Sequence, residues 1–93
     1  HLLNNKQVNL WAGQFARQII QEAGNAREEQ IRLSYLKALS RQPDDQELQL
    51  TLEYMEKISD AAEQETPPEE IHLQVLSNVC HALINSAAFI YID

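Results

Sequence analysis

An all-α fold of four helices is what this chain predicts, on three observations. Apolar residues recur at spacings of three and four, helix-start signals occur four times, and glycine or proline separates the segments they open. Each start is a capping residue followed three positions later by Glu or Gln, a pairing that satisfies orphan backbone N–H groups from both sides. The pairs are Asn4 with Gln7, Asn25 with Glu28, Asp44 with Glu47, and Thr66 with Glu69.

The first helix begins after Asn4, with Leu3 and Val8 placed as a hydrophobic staple, and carries Val8, Trp11, Ala12, Phe15, Ala16, Ile19 and Ile20 on one stripe. Gly24 ends it, where a left-handed residue is wanted. The second helix starts from Asn25 and presents Ile31, Tyr35, Ala38 and Leu39; Gln42 and Pro43 close it. The third runs from Asp44 with Leu48, Leu52, Met55, Ile58 and Ala62. The fourth follows Thr66, with Pro67 at its first helical position, and carries Val75, Leu76, Val79, Cys80 and Leu83. Asn85-Ser86 reads as its end. The aromatic and β-branched run Phe89-Ile90-Tyr91-Ile92 then predicts a short extended or turn-like C-terminal tail, with no second strand to pair with it. Packing of that tail back onto the helices is the preferred expectation, since Phe and Tyr bury large areas. Docking on a missing part of a parent protein is the alternative.

The 93 residues make a single helical domain with one core, and a chain this short buries only about 60 to 65% of its unfolded surface. Hydrophobic residues at 44% and charged residues at 23% are ordinary globular values. Fourteen acids against seven bases give a net charge of -7, with a pI near 4.8. That is the wrong sign for a surface that neutralises phosphates, so nucleic acid is not an expected partner. Neither a polybasic segment nor an apolar run of about 18 residues is present, which argues against membrane binding or insertion. The N-terminus has no signal-peptide pattern.

Cys80 is the single cysteine, so no internal disulfide or multi-cysteine zinc site can form. Ser77-Asn78-Val79-Cys80-His81 is one cysteine short of the C-x-x-C-H pattern that attaches a c-type haem, and Cys80 falls on an apolar stripe where a thiol acts as a small hydrophobe. His72 and Cys80 stand about 12 Å apart along a helix axis, which prevents a metal site with His81. Neighbouring positions Cys80 and His81 point about 100° apart, so they do not form a nucleophile and base. The serines lack a glycine-rich elbow, and two glycines, Gly13 and Gly24, cannot make a phosphate loop. The acidic groups around Asp44 and Glu69 lack calcium-loop spacing and suit helix N-termini. No catalytic, cofactor-binding or metal-ligating residue is therefore assigned, and the chain does not read as an enzyme.

Several stretches carry a resemblance to a known family. They are Leu2-Leu3-Asn4-Asn5, Gln21-Glu22-Ala23-Gly24, Ala38-Leu39-Ser40-Arg41-Gln42-Pro43 with Glu47, and Cys80-His81-Ala82-Leu83-Ile84-Asn85-Ser86 running into Phe89-Ile90-Tyr91-Ile92-Asp93. In that order they resemble the C-terminal part of a planctomycete domain of unknown function called the PSD-one domain. The chain departs from the family pattern at Ala87 and Ala88, which replace a polar pair, at Ser40, which stands for a glycine, and at Lys6, where an apolar residue is common. The resemblance implies the C-terminal segment of a larger exported protein, periplasmic or at the cell surface, whose other parts commonly include a cytochrome-c-like domain. Any haem c then belongs elsewhere in the parent, and this chain holds no cofactor.

Leu33, Leu36, Leu50 and Tyr54 lie off the main stripes, so helices two and three are apolar over a wide arc, either because they are central or because they meet another domain. With Trp11, Phe89 and Tyr91 they are the candidate interaction residues. The expected function is a structural or protein-interaction module whose partners are other domains of the same parent. The alternative is a wall of an enzyme or carbohydrate-binding site completed by those domains, with Trp11, Tyr35 or Tyr91 as contacts.

Overall fold

The computed structural model describes the backbone of residues 6–62 and 65–91, with side chains through residue 86. Four helices follow in order: α1 Lys6–Ala23, α2 Arg27–Leu39, α3 Asp45–Ala61 and α4 Pro68–Tyr91. The all-α four-helix expectation holds. The Asn4 start signal lies outside the described residues.

The helix ends show which local signals decide. Asp44 forms a full capping box: Glu47 N–H donates to Asp44 Oδ1 at 2.7 Å, and Asp44 N–H donates to Glu47 Oε1 at 2.9 Å. Glu47 also takes both Arg41 guanidinium nitrogens, at 2.7 and 2.8 Å, while the Arg41 guanidinium lies 5.5 Å from the centre of the Tyr35 ring. These bonds hold the Glu47 carboxyl down to about 2, Arg41 contributing most and the Asp44 backbone next.

Two start signals are displaced by one residue. The capping position of α2 is Ala26, without a side-chain cap bond, and Glu28 instead pairs with Arg32 at 3.0 Å. Gly24 takes the left-handed conformation at φ 75° and returns its N–H to Ile20 O, which leaves Asn25 one position too early. At α4, Pro67 O accepts from Glu70 and Ile71, so Pro68 and not Pro67 opens the helix. The C-terminal expectation is corrected more fully. Helix α4 continues through Asn85 and Ser86 to Tyr91, so Phe89 and Tyr91 are helical and not an extended or turn-like tail. Neither glycine nor proline interrupts residues 85–91, and Ala87-Ala88 favour continuation, which outweighs the weak stop at Asn85-Ser86.

The core is formed by Ala12, Ala16, Ile19, Ile31, Tyr35, Met55, Val75, Leu76, Val79, Cys80 and Leu83. All five predicted stripe residues of α4 are buried, and α4 shares the centre with α2: each of the two packs against the other three helices, whereas α3 does not. Among the described residues α1 and α3 do not touch, whereas α2 and α4 do. The bundle is thus a flattened rhombus with α2 and α4 on its short diagonal. Side-chain size explains this. Ser34 of α2 meets Cys80 of α4, and small side chains let helix axes approach.

Ser40 supplies a specific test. It caps α2 at φ 57°, a left-handed conformation that costs a residue with a Cβ roughly 1 kcal/mol. Ser40→Gly is expected to raise stability by about 0.5 to 1 kcal/mol, or several degrees of Tm by calorimetry. An unchanged or lowered Tm would contradict the strain assigned to this turn.

Candidate functional site

The buried polar groups come first, because they decide what the interior can do. Gln30 lies on the inner face of α2 and is 0% exposed. Its Nε2 donates to Gly24 O at 2.6 Å, and its Oε1 lies 2.9 Å from His72 Nε2 on α4. The amide orientation follows: the reverse placement would set two acceptors against each other at Gly24. Gln30 Oε1 therefore accepts, and His72 Nε2 carries the hydrogen. Beside this bridge, Ser34 Oγ donates to Gln30 O at 2.7 Å and sits 4.0 Å from Cys80 Sγ.

These partners settle the three residues that drew attention as possible chemistry. Cys80 is fully enclosed, and burial pushes its thiol up to about 11 against a smaller lowering by Ser34. A porphyrin edge has no access to that sulfur. His72 is occupied by Gln30, and desolvation, followed by the charge of Arg27, lowers its pKa. His81 Nδ1 lies 3.3 Å from Asn85 Nδ2, while its Nε2 is buried without a hydrogen-bond partner among the described residues. The side chains of His72, Cys80 and His81 thus have separate surroundings. Among the described residues no three His, Cys, Asp or Glu side chains are grouped to hold a metal ion, and no helix is long and apolar enough to cross a membrane.

The surface is the better candidate. Leu50 and Tyr54 are 56% and 41% exposed and border one hollow of about 340 Å³ between α3 and α4, floored by Tyr35, Thr51, Val79 and Leu83. Leu36 is exposed and Leu33 half-buried against the core; both line a second hollow beside Glu22, Glu29 and Arg32. Trp11 lines a third, with Phe15, Lys37, Ala38 and Ile84. The wide apolar arc of helices two and three is therefore two separate surfaces. The side chains of Phe89 and Tyr91 lie outside the described set.

Trp11 departs from the expected stripe: it is 50% exposed, whereas Ala12 and Ala16 are buried. Small residues bring α1 close to α4, and the indole is too large for that seam. Leu10, also exposed, was not singled out by periodicity. Nor was Gln30, although Gln30 and Ser34 stand four apart and directly precede Ile31 and Tyr35 of the stripe, the one signal of a polar inner edge. A fourth hollow, between α1 and α4, is lined by polar groups including Asn9, Arg17, Glu70 and Asn78.

Two measurements follow from these environments. Native Cys80 is expected to resist an aromatic disulfide reagent at pH 8 and to react at once in denaturant; rapid native reaction would contradict its burial. Because the folded value of His72 lies below the ordinary 6.5, the unfolded chain takes up this proton more readily. The stability it contributes is complete above pH 6.5 and declines as pH falls through the lower folded value. Glu47 adds a separate loss between 4.5 and about 2. Urea unfolding should show the first decline in the native chain and lose it in His72→Gln; an identical profile in both would refute the assignment.

Comparisons with protein-family models, with curated proteins and with solved structures find no match.

Proposed function

We propose that this chain is a non-catalytic helical module that docks other domains of a larger exported, cytochrome-c-associated parent protein. The observation that carries the docking reading is the set of large apolar side chains held at the surface: Trp11, Leu36, Leu50 and Tyr54, each 41 to 56% exposed on α1, α2 and α3. Single exposed leucines are ordinary, but aromatic and leucine side chains set beside concave surfaces have the composition of interface anchors. The larger parent, its export and its cytochrome-c association rest on the residue resemblance to the PSD-one domain, with the closing stretch Cys80–Ser86 into Phe89–Asp93 as its most specific element.

A second reading is favoured by one particular residue. Trp11 is exposed beside a hollow that Phe15 and Ile84 also line, as an aromatic platform in a carbohydrate or substrate site would be. Tyr35 is mostly buried and reaches the surface only at the floor of the hollow between α3 and α4, away from Trp11.

Light scattering of the isolated chain, combined with its binding to the remainder of the parent, tests the main proposal. Saturable binding is expected, weakened about tenfold or more by Trp11→Ala or Leu36→Ser. A stable monomer with no affinity for the parent would sink it. Trp11 is the only tryptophan, so its fluorescence also tests the rival: a saturable shift on adding oligosaccharides supports a sugar site, and a flat titration counts against one.

A further inference from the structure

We propose that the hollow between α3 and α4 receives a basic amphipathic helix, an assignment that rests on the docking reading above and specifies the partner. Its lining is free of charge: Tyr35, Leu50, Thr51, Tyr54, Asn78, Val79, Ala82 and Leu83 enclose about 340 Å³. One lip is Leu50 and Tyr54, a turn apart on α3; the other is Asn78 and Ala82, a turn apart on α4. The methyl of Ala82 and the short Thr51 side chain leave room for another helix to approach. Two apolar side chains spaced by three or four would fit between these lips, which is the geometry of a helix laid in a groove.

Charge selects the occupant. Helix α3 carries Asp45, Glu47, Glu53, Glu56 and Asp60 against Lys57 alone, and α4 carries Glu69 and Glu70 with no Lys or Arg. Only Glu47 is neutralised by a described ion pair, with Arg41. An apolar groove with acidic α3 along one side and no Lys or Arg on the α4 side favours a partner whose stripe is flanked by Lys or Arg. A second copy of the chain would bring acidic α3 toward acidic α3 across a two-fold axis, which like-charge repulsion opposes. Residues 58–93 contain no Lys or Arg, so they do not carry the charge this occupant needs. The partner is thus a helix from another domain or another protein.

The test uses two synthetic 18-residue peptides with the same leucine stripe, one with a lysine polar face and one with a glutamate face, titrated into the isotope-labelled chain at low salt. The lysine peptide is expected to shift the amides of Leu50, Tyr54, Ala82 and Leu83 and to bind at least about tenfold more tightly than the glutamate peptide. Leu50→Ser, at an exposed position, should leave the fold intact by circular dichroism and weaken the lysine peptide about tenfold. Equal affinities, shifts confined to other faces, or sedimentation showing that the chain dimerises through this groove would each overturn the assignment. If the peptide fails here while the parent's domains still bind through Trp11 or Leu36, only the groove assignment falls. If neither binds, the docking reading falls with it.

Discussion

The buried amide of Gln30 is the constraint around which the bundle is arranged. A side chain with no solvent access must find partners for both ends of its amide, because each unpaired group would cost about 1 to 3 kcal/mol. It does so by joining three elements: the carbonyl of Gly24 at the end of α1, its own helix α2, and His72 on α4. The bond to Gly24 fixes the turn that a side-chain cap at Ala26 does not fix. The bond to His72 sets α2 against α4, and the small pair Ser34 and Cys80 lets them stay close. An apolar residue at this site would pack the helices with less angular preference, since dispersion forces are not directional and an amide is.

Surface shape follows from that placement. With α2 and α4 on the short diagonal, α1 and α3 lie on opposite sides and each leaves a seam against α4. The α1 seam is lined mainly by polar groups and the α3 seam by uncharged, largely apolar ones. The exposed Leu50 and Tyr54 belong to the second seam, so this surface is a product of core geometry and not only of surface composition. The same geometry removes Cys80 and His72 from the solvent-facing chemistry their residue types invite. One is enclosed and held protonated, and the other is committed to a structural hydrogen bond.

Features governed by neighbours in sequence were legible without a structure. The Asp44 and Glu47 box, the left-handed Gly24 and the α4 stripe from Val75 to Leu83 each depend on residues within a turn or two, and each stands where periodicity and capping chemistry put it. The displaced starts at Ala26 and Pro67 show the limit of the same logic: capping residues mark a helix end to within a residue, and the neighbouring turn chooses between them. Asn85 and Ser86 were a stop only by propensity, and a helix already held by its core stripe runs past them. Trp11 was misread because period alone does not register the size limit of the seam with α4. Gln30 and His72, 42 residues apart, meet only in the folded chain, and a hydrogen bond across that separation leaves no local signature beyond a polar residue beside a buried stripe. The candidate surface was legible as residue types, while its division into separate hollows was not.

The most direct measurement is a double-mutant cycle between Gln30→Ala and His72→Ala, read by urea unfolding at pH 7.5. If the buried amide couples α2 to α4, the two losses should be non-additive by about 1 to 2 kcal/mol, with the double variant little worse than Gln30→Ala alone. Losses that add to within about 0.3 kcal/mol would contradict the account, because the helices would then be held together without this bridge.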